Sequence, residues 1–536
     1  MSTQKTALEQ LLEDIKERNG KPVNVLVVAA SIESLGIRDV DAQTDYDYPS
    51  ILDLANYIFQ ILDQKEYYQL KNEKQTNAGI KEYKRISINA YMTGRSLLFA
   101  KEYSTGLFHL LPVALQIFAI IFFGFSLWTY VGFNDLQSTA VVFGVIVGLV
   151  ATGGFVQVIG KQVSFYWYSE DYSMAYASIK QIVLLGMKTM LLLFIVSVAI
   201  NFFIHLYPFL FICIVYAYGF LIGLFLLALA PLYTIKQRWM ISVSVFVATA
   251  LALALHLTTA INTYLIHWLS ISIGIFIAFS YLFIFFKKLI GSTKGVHNKA
   301  PKMLLAIYRN LDYFLYGVTI YSFIFMDRII AWSSRSGRNF PYAIYYEPDY
   351  EIGMDLAILV FFFLAGVLEY SVSAFSRLMD YRQRTMIFDQ VAQFNKSMLQ
   401  LYFKNIKIFV GTAILIGVLL YFIITQPWGY EAGFDEQLSD LSIQVFIVGA
   451  LGYLFLTLGM LNVLYFYTLN RHKEPLAAIF IATIVNLIIG LLLSRFFSYE
   501  YAVIGMLIGS MTFAALTTIK AIRYFKKLDY HFYASY

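Results

Sequence analysis

Apolar residues dominate this chain from Leu107 almost to its C-terminus, broken only by short polar loops. The apolar runs are about 20 residues long, the length of helix that crosses a hydrocarbon core of ~30 Å. Twelve such spans are legible, at 107–131, 138–160, 182–204, 207–231, 240–260, 264–286, 311–333, 353–375, 407–426, 443–468, 475–495 and 500–523. The third and fourth abut at Tyr207–Pro208, where the proline predicts a turn. Ahead of the spans the pattern differs. Leu8–Arg18 reads as a short amphipathic helix, Asn24–Ser31 as an apolar run of strand length, and Pro49–Leu62 as a second helix. This N-terminal stretch predicts a small α/β or helical cytoplasmic region, its apolar run too short to span a bilayer.

The loops between spans alternate in charge. Lys81, Lys84, Arg85, Arg95 and Lys101 precede the first span, and Lys161 and Lys180 lie between the second and third. Basic residues recur after the fourth span (Lys236, Arg238), the sixth (Lys287 to Arg309), the eighth (Arg377 to Lys407), the tenth (Arg471, Lys473) and the twelfth (Lys520 to Lys527). The opposite loops hold Asp135, the trio Glu347, Asp349 and Glu351, and the group Glu431, Asp435, Glu436 and Asp440, although Arg335 and Arg338 are there too. Basic loops stay on the cytoplasmic side, so both termini are predicted inside. Each half has six spans and starts from the inside, which makes the halves parallel repeats. In each, a long basic connection follows the second span (161–181 and 376–406) and reads as an amphipathic cytoplasmic helix. The predicted fold is all-α and polytopic, with a cytoplasmic region at 1–106, six-helix lobes at 107–286 and 311–523, a basic linker at 287–310 and a cytoplasmic tail at 524–536.

Composition agrees: 59% of residues are hydrophobic and 14% charged, against about 25% charged in soluble proteins. The net charge of +6 is explained by topology, with no need of nucleic acid. One cysteine, Cys213, excludes an intramolecular disulfide and any cysteine-rich metal site. The first residues hold no signal-peptide core. No Walker A pattern, no HExxH and no nucleophile triad is present, so neither enzyme activity, metal nor cofactor is expected.

Ionisable residues inside a membrane are expensive, and each marks a candidate for function. Asp327 and Arg328 lie deep in the seventh span; lining the transport path and anchoring the helix end are both open to them. Glu369 in the eighth span and Lys188 in the third fall at similar inner depths, where a Lys188–Glu369 pair would gate the cytoplasmic mouth; Lys188 is equally placed to snorkel to the headgroups. Gln116, Gln157, Asn462 and Asn486 are amides suited to sugar hydroxyls, though such amides more commonly tie helices together. Asp312, Tyr313, Tyr316 and Tyr321 open the seventh span.

The stretch YRNLDYFLYGVTIYSFIFMDRIIAWSS (308–334) resembles the Pel exopolysaccharide transporter family, in which an Asp, a basic residue, apolar residues and a Trp close the seventh helix. Here these are Asp327, Arg328, Ile329, Ile330 and Trp332. The later order YEPDYEIGMD, LGMLNVLYFYTLNRHKEP, YEYAVIGMLIGS and KAIRYFKKLDYHFY is also similar. The resemblance is carried by 300–536, and by topology alone over 107–290. It implies the multidrug/oligosaccharidyl-lipid/polysaccharide exporter superfamily, with twelve helices in two lobes. It implies export of a cationic, amino-sugar-rich polysaccharide, made by a cytoplasmic glycosyltransferase working with partner membrane proteins. A lipid-linked oligosaccharide flippase and a membrane scaffold for a polysaccharide synthase are the alternatives. A cation-coupled drug exporter needs a central acidic residue in the first lobe, where none stands out.

Overall fold

The computed structural model describes residues 8, 10–12, 14–15, 25–62, 88–108, 111–292, 308–334, 342–385, 391–434 and 436–529. The chain divides into two compact units, Met1–Ser96 and Leu97–Tyr536.

The first unit is helical. Its helices include α1 (Val25–Ser34), α2 (Asp39–Asp45) and α3 (Ile51–Leu62). The apolar run expected at strand length is α1. Val28, Ala29 and Ile32 share one helical face, and that face is buried with Leu11, Ile15, Leu54 and Ile58. Burial of one stripe thus overrides the strand preference of the valines. The described part of Leu8–Arg18 is helical; Arg18 lies outside the described residues.

The second unit is a membrane bundle. Among the described residues, eleven helices are long and apolar enough to cross a bilayer, and a bent pair makes twelve when it is counted as one span. That pair is α4 (Ile88–Phe108) and α5 (Leu111–Phe123), bent by 59° between Ser96–Phe108 and Leu111–Phe123. The remaining spans are α6 (Asp135–Tyr168), α7 (Tyr172–Ile204), α8 (Phe209–Thr234), α9 (Arg238–Thr258), α10 (Thr263–Ser292), α11 (Leu311–Trp332), α12 (Pro348–Thr385) and α13 (Val391–Thr425). After the short α14 (Tyr430–Phe434) come α15 (Asp440–Thr468), α16 (Lys473–Phe496) and α17 (Ala502–Lys526).

The first span differs from the expected 107–131. It begins upstream, within α4, and stops at Phe123. Gly124 takes a positive φ of 60°, and 125–130 folds back so that Phe125 bridges Tyr130. Phe125 and Leu127 are buried there, which is why the stretch reads as membrane-apolar. Pro112, in the first turn of α5, needs no intrahelical donor and fits a fresh helix start. The third and fourth spans do separate at Pro208, where His205 ends α7 in the left-handed region and the Asn201 amide brackets the Tyr207 backbone. The long connections after spans two and eight are not separate helices. The span helices themselves run on, to 34 and 33 residues in α6 and α7 and to 38 and 35 in α12 and α13. At 1.5 Å per residue these are roughly 50–57 Å long, well beyond a ~30 Å core. Between α6 and α7 only a tight turn remains, capped by Asp171, which accepts from the Met174 N–H. Arg335, Arg338, Asp435 and most of the 287–310 linker lie outside the described residues.

Two lobes pack in parallel fashion. In the first, α6 packs chiefly against α8; in the second, α12 packs against α15, their counterparts by order. The lobes meet where α6 crosses α11. The end of the bundle at which α4 begins is called here the amino-terminal end, and the other the far end.

Candidate functional site

Helix spacing in the second lobe builds a charged knot near the far end. Asp327 lies 16 residues into α11, roughly 24 Å along it. Glu351 and Asp355 sit four apart on one face of α12, within its first two turns. The Arg328 guanidinium reaches both: Nη1 pairs closely with Glu351 Oε1 and lies 3.0 Å from Asp355 Oδ1. Asp327 points elsewhere and accepts from the Tyr350 hydroxyl at 2.8 Å. Tyr453 of α15 closes the third side. Asp327, Arg328 and Glu351 are buried, at 0%, 4% and 1% exposure, while the Asp355 side chain is 63% exposed. Buried charges of this kind persist only when paired or bonded.

Asp355 is exposed on the α12 face that, further along, meets the other lobe. Eleven residues along α12, three helical turns and nearly the same face, lies Gly366. Gly366 abuts the other lobe's first span: a Cβ on Gly106 would fall 2.6 Å from the Gly366 Cα, and Tyr103 Oη donates to the Phe363 carbonyl at 3.2 Å. Asp355 is thus roughly 16 Å above the point where α4 and α12 touch.

That touching point belongs to a seal at the amino-terminal end. Arg238 at the start of α9 pairs with Glu369 of α12 at 3.1 Å, and Glu102 pairs with Arg377 at 2.7 Å. Across the other lobe contact, a Cβ on Gly153 would meet the Gly317 carbonyl at 2.8 Å, so α6 and α11 meet backbone to backbone. Asn310 donates to Gln162 at 2.9 Å and Lys161 donates to Asn470 at 2.9 Å beside that crossing. At the far end the lobes touch through loops, where Tyr346 N–H donates to Thr139 Oγ1 and Tyr207 Oη donates to the Ile344 carbonyl.

The candidate residues from the sequence fall into three groups. Asp327 and Arg328 are in the knot. Glu369 is at the seal, but the pair expected with Lys188 is made with Arg238 instead; Lys188 is exposed on α7. Arg238 heads α9 at the depth of Glu369, and its guanidinium stacks over Tyr233 at 4.5 Å. The amides are struts. Gln116 donates to Thr249 and accepts from the Leu127 N–H, Asn462 accepts from Tyr402 and donates to Thr517 and Thr518, and Asn486 donates to the Phe323 carbonyl. Gln157 packs against Gly317 at the lobe crossing. Tyr313 and Tyr316 are buried against Tyr467, Tyr321 lies against Gly153, and Asp312 pairs with His472 at 3.1 Å. Tyr350, Glu351, Asp355, Tyr453, Arg238 and Glu102 are the residues that sequence reasoning passed over as site members. The spacing Glu351–Asp355, one turn apart beside an intramembrane Arg, was the available signal.

Two lobes joined by helix crossings, with charge held inside the second, make a multi-pass membrane bundle. Solved structures agree on the fold. The chain is similar to the eukaryotic MATE transporter AtDTX14 (TM-score 0.57, 13% identity, 82% of this chain and 99% of that one). It is also similar to a multidrug resistance MATE family transporter of the MOP superfamily in an outward-facing conformation (TM-score 0.51, 13% identity, 81% and 96%). An inward-facing conformation of such a transporter scores equally (TM-score 0.51, 14% identity, 79% and 99%). No curated protein sequence matches the chain. The chain belongs to the PelG exopolysaccharide exporter (EPS-E) family, whose sequence model matches residues 95–533, so the match includes the first lobe as well as the second. It is a membrane exporter.

Proposed function

We propose that this exporter moves a Pel-like, amino-sugar-rich exopolysaccharide across the cytoplasmic membrane, through the space between its lobes. The observation that carries the reading is Asp355, an exposed carboxylate on the α12 face that turns to the other lobe, backed by the buried Arg328. A polymer of sugars needs a polar wall in an otherwise apolar passage, and this face supplies one. The amino-terminal end is the cytoplasmic end, because the basic loops gather there; both termini then lie in the cytoplasm. The Arg238–Glu369 and Glu102–Arg377 pairs form the cytoplasmic gate, which parts when polymer enters. Residues 1–96 are the cytoplasmic region, 97–286 and 311–523 the lobes, 287–310 the linker and 524–536 the tail. The partners are a cytoplasmic glycosyltransferase that hands over the growing chain and other Pel-like membrane proteins.

A deletion strain tests this. Amino-sugar polysaccharide is quantified at the cell surface and inside the membrane, with and without the intact gene. Loss at the surface, restored by the gene, supports the reading; unchanged polymer sinks it. A lipid-linked oligosaccharide flippase is favoured by one observation, an apolar cavity of about 260 Å³ between α6, α7 and α8, lined by Val147, Ala151, Met190, Leu193 and Phe194. In that case the deletion strain accumulates lipid-linked oligosaccharide.

A further inference from the structure

The main joint between the lobes carries two like charges, one from each side. Lys161 lies eight residues past Gly153 on α6, and Arg309 lies eight residues before Gly317, on the way into α11. Helix α6 runs toward the amino-terminal end and α11 runs away from it. Both cations are therefore roughly 12 Å from the glycine crossing, on the same side of it and level with one another. Arg309 is close enough to repel Lys161. Packing holds each in place. The half-buried Lys161 puts its ammonium 5.4 Å from the centre of the Tyr313 ring and donates to Asn470 at 2.9 Å. The exposed Arg309 stacks over Phe165 at 5.2 Å. Among the described residues neither cation pairs with a carboxylate; Asp312, three residues after Arg309, is taken by His472. Unscreened like charges across a joint push it apart, and an anion between them turns that repulsion into a bridge.

Depth in the membrane says which anion. Lys161 is 26 residues from the far end of α6, roughly 39 Å along it, past the ~30 Å hydrocarbon core and at the level of the lipid phosphates. Phe165 and Tyr308 beside the pair are 50% and 81% exposed, the aromatic surroundings of a membrane–water interface. We propose that Lys161 and Arg309 together bind the phosphate of an anionic membrane lipid at the joint between the lobes. The guanidinium offers a planar fork to two phosphate oxygens, and the ammonium offers a point charge to a third. Phe165 and Tyr308 give the glycerol end of the lipid an apolar rest. The lipid is a fixed part of the joint and is not cargo, so the inference does not depend on what is exported.

The test is a binding measurement on the purified full-length protein in a mild non-ionic detergent, at fixed ionic strength. Three probes are used: phosphatidylglycerol, the diacylglycerol with the same acyl chains, and inorganic phosphate. Wild type is expected to bind phosphatidylglycerol about tenfold or more tightly than diacylglycerol. Lys161→Gln and Arg309→Gln each lower that preference several-fold, and the double variant abolishes it. Lys188→Gln, which removes a positive charge elsewhere on the membrane surface of the protein, leaves it unchanged. Phosphatidylglycerol also raises the thermal midpoint of wild type and not that of the double variant. Size-exclusion profiles confirm folding, and Arg309→Gln, at an exposed position, keeps the test open if Lys161→Gln fails to fold. Equal affinity for the two lipids in wild type overturns the proposal, whether or not inorganic phosphate binds. A preference that survives both substitutions overturns it too, as does one that Lys188→Gln lowers equally. Inorganic phosphate bound as tightly as phosphatidylglycerol, with the same dependence on Lys161 and Arg309, overturns the lipid assignment in favour of a soluble phosphate compound.

Discussion

The two lobes share an arrangement and differ in chemistry. Between residues 111 and 292 the first lobe has three acidic residues, Asp135, Glu170 and Asp171, all at helix ends. Its interior polar contacts are neutral or aromatic, such as Gln116 with Thr249 and Tyr218 with His267. The second lobe buries Asp327, Arg328 and Glu351 and exposes Asp355 beside them. Duplicated six-helix units therefore need not divide their labour equally. One supplies an apolar wall and a packing partner; the other holds the charge.

The sharpest way to break this contrast is to strip the second lobe of its cation. Arg328→Gln leaves three carboxylates without their counter-charge, two of them buried, and breaking a buried pair by removing one partner costs about 3–5 kcal/mol. We expect a large fall in thermal midpoint in detergent and little folded protein in membranes. Adding Glu351→Gln to the same chain recovers part of the loss, because one stranded charge goes with it. The next largest effect is steric and touches both lobes. Gly317→Leu pushes a side chain into the Gly153 carbonyl, with no slack at a backbone-to-backbone crossing. Overpacking of this kind costs about 1–3 kcal/mol. Surface polysaccharide should fall even where folded protein remains.

Glu369→Gln sharpens the comparison at the seal. Its pair with Arg238 is about a quarter exposed on each side, so the lost bond is worth about 1 kcal/mol or less after solvent screening. Stability should hardly change, while a cysteine reporter placed beside the seal becomes more accessible to a thiol reagent added from the cytoplasm. Lys188→Gln should do least: its side chain is exposed on α7 and export should match wild type.

Much of the bundle was legible because hydropathy and loop charge carry topology directly. Span seven was read as 311–333 and found at Leu311–Trp332. Asp327 and Arg328 stood out because a charge inside an apolar run has no ordinary reason to be there. Glu351 did not, because it sits within the polar run YEPDYE and reads as a loop acid; only folding shows that α12 begins three residues before it. Arg238 was equally hidden among the basic loop residues. The apolar 124–131 was mistaken for membrane because burial under a hairpin selects the same residues as burial in lipid. The NVLVVAAS run misled in the same way, since a short apolar run does not declare its period.

The glycine crossing at Gly153 and Gly317 has a mechanical consequence. Two helices whose backbones touch at one point, with Tyr321 and Gln157 packed around it, bear on one another at a fulcrum. Gly153 is 18 residues from the far end of α6, roughly 27 Å along the helix axis. Rolling one helix on the other by about 10° swings that far tip through roughly 5 Å, while the bearing itself hardly moves. The lobes can therefore rock by a wide margin at the rim without breaking their main joint, and long, stiff helices convert a slight turn at the waist into a wide opening at the lip.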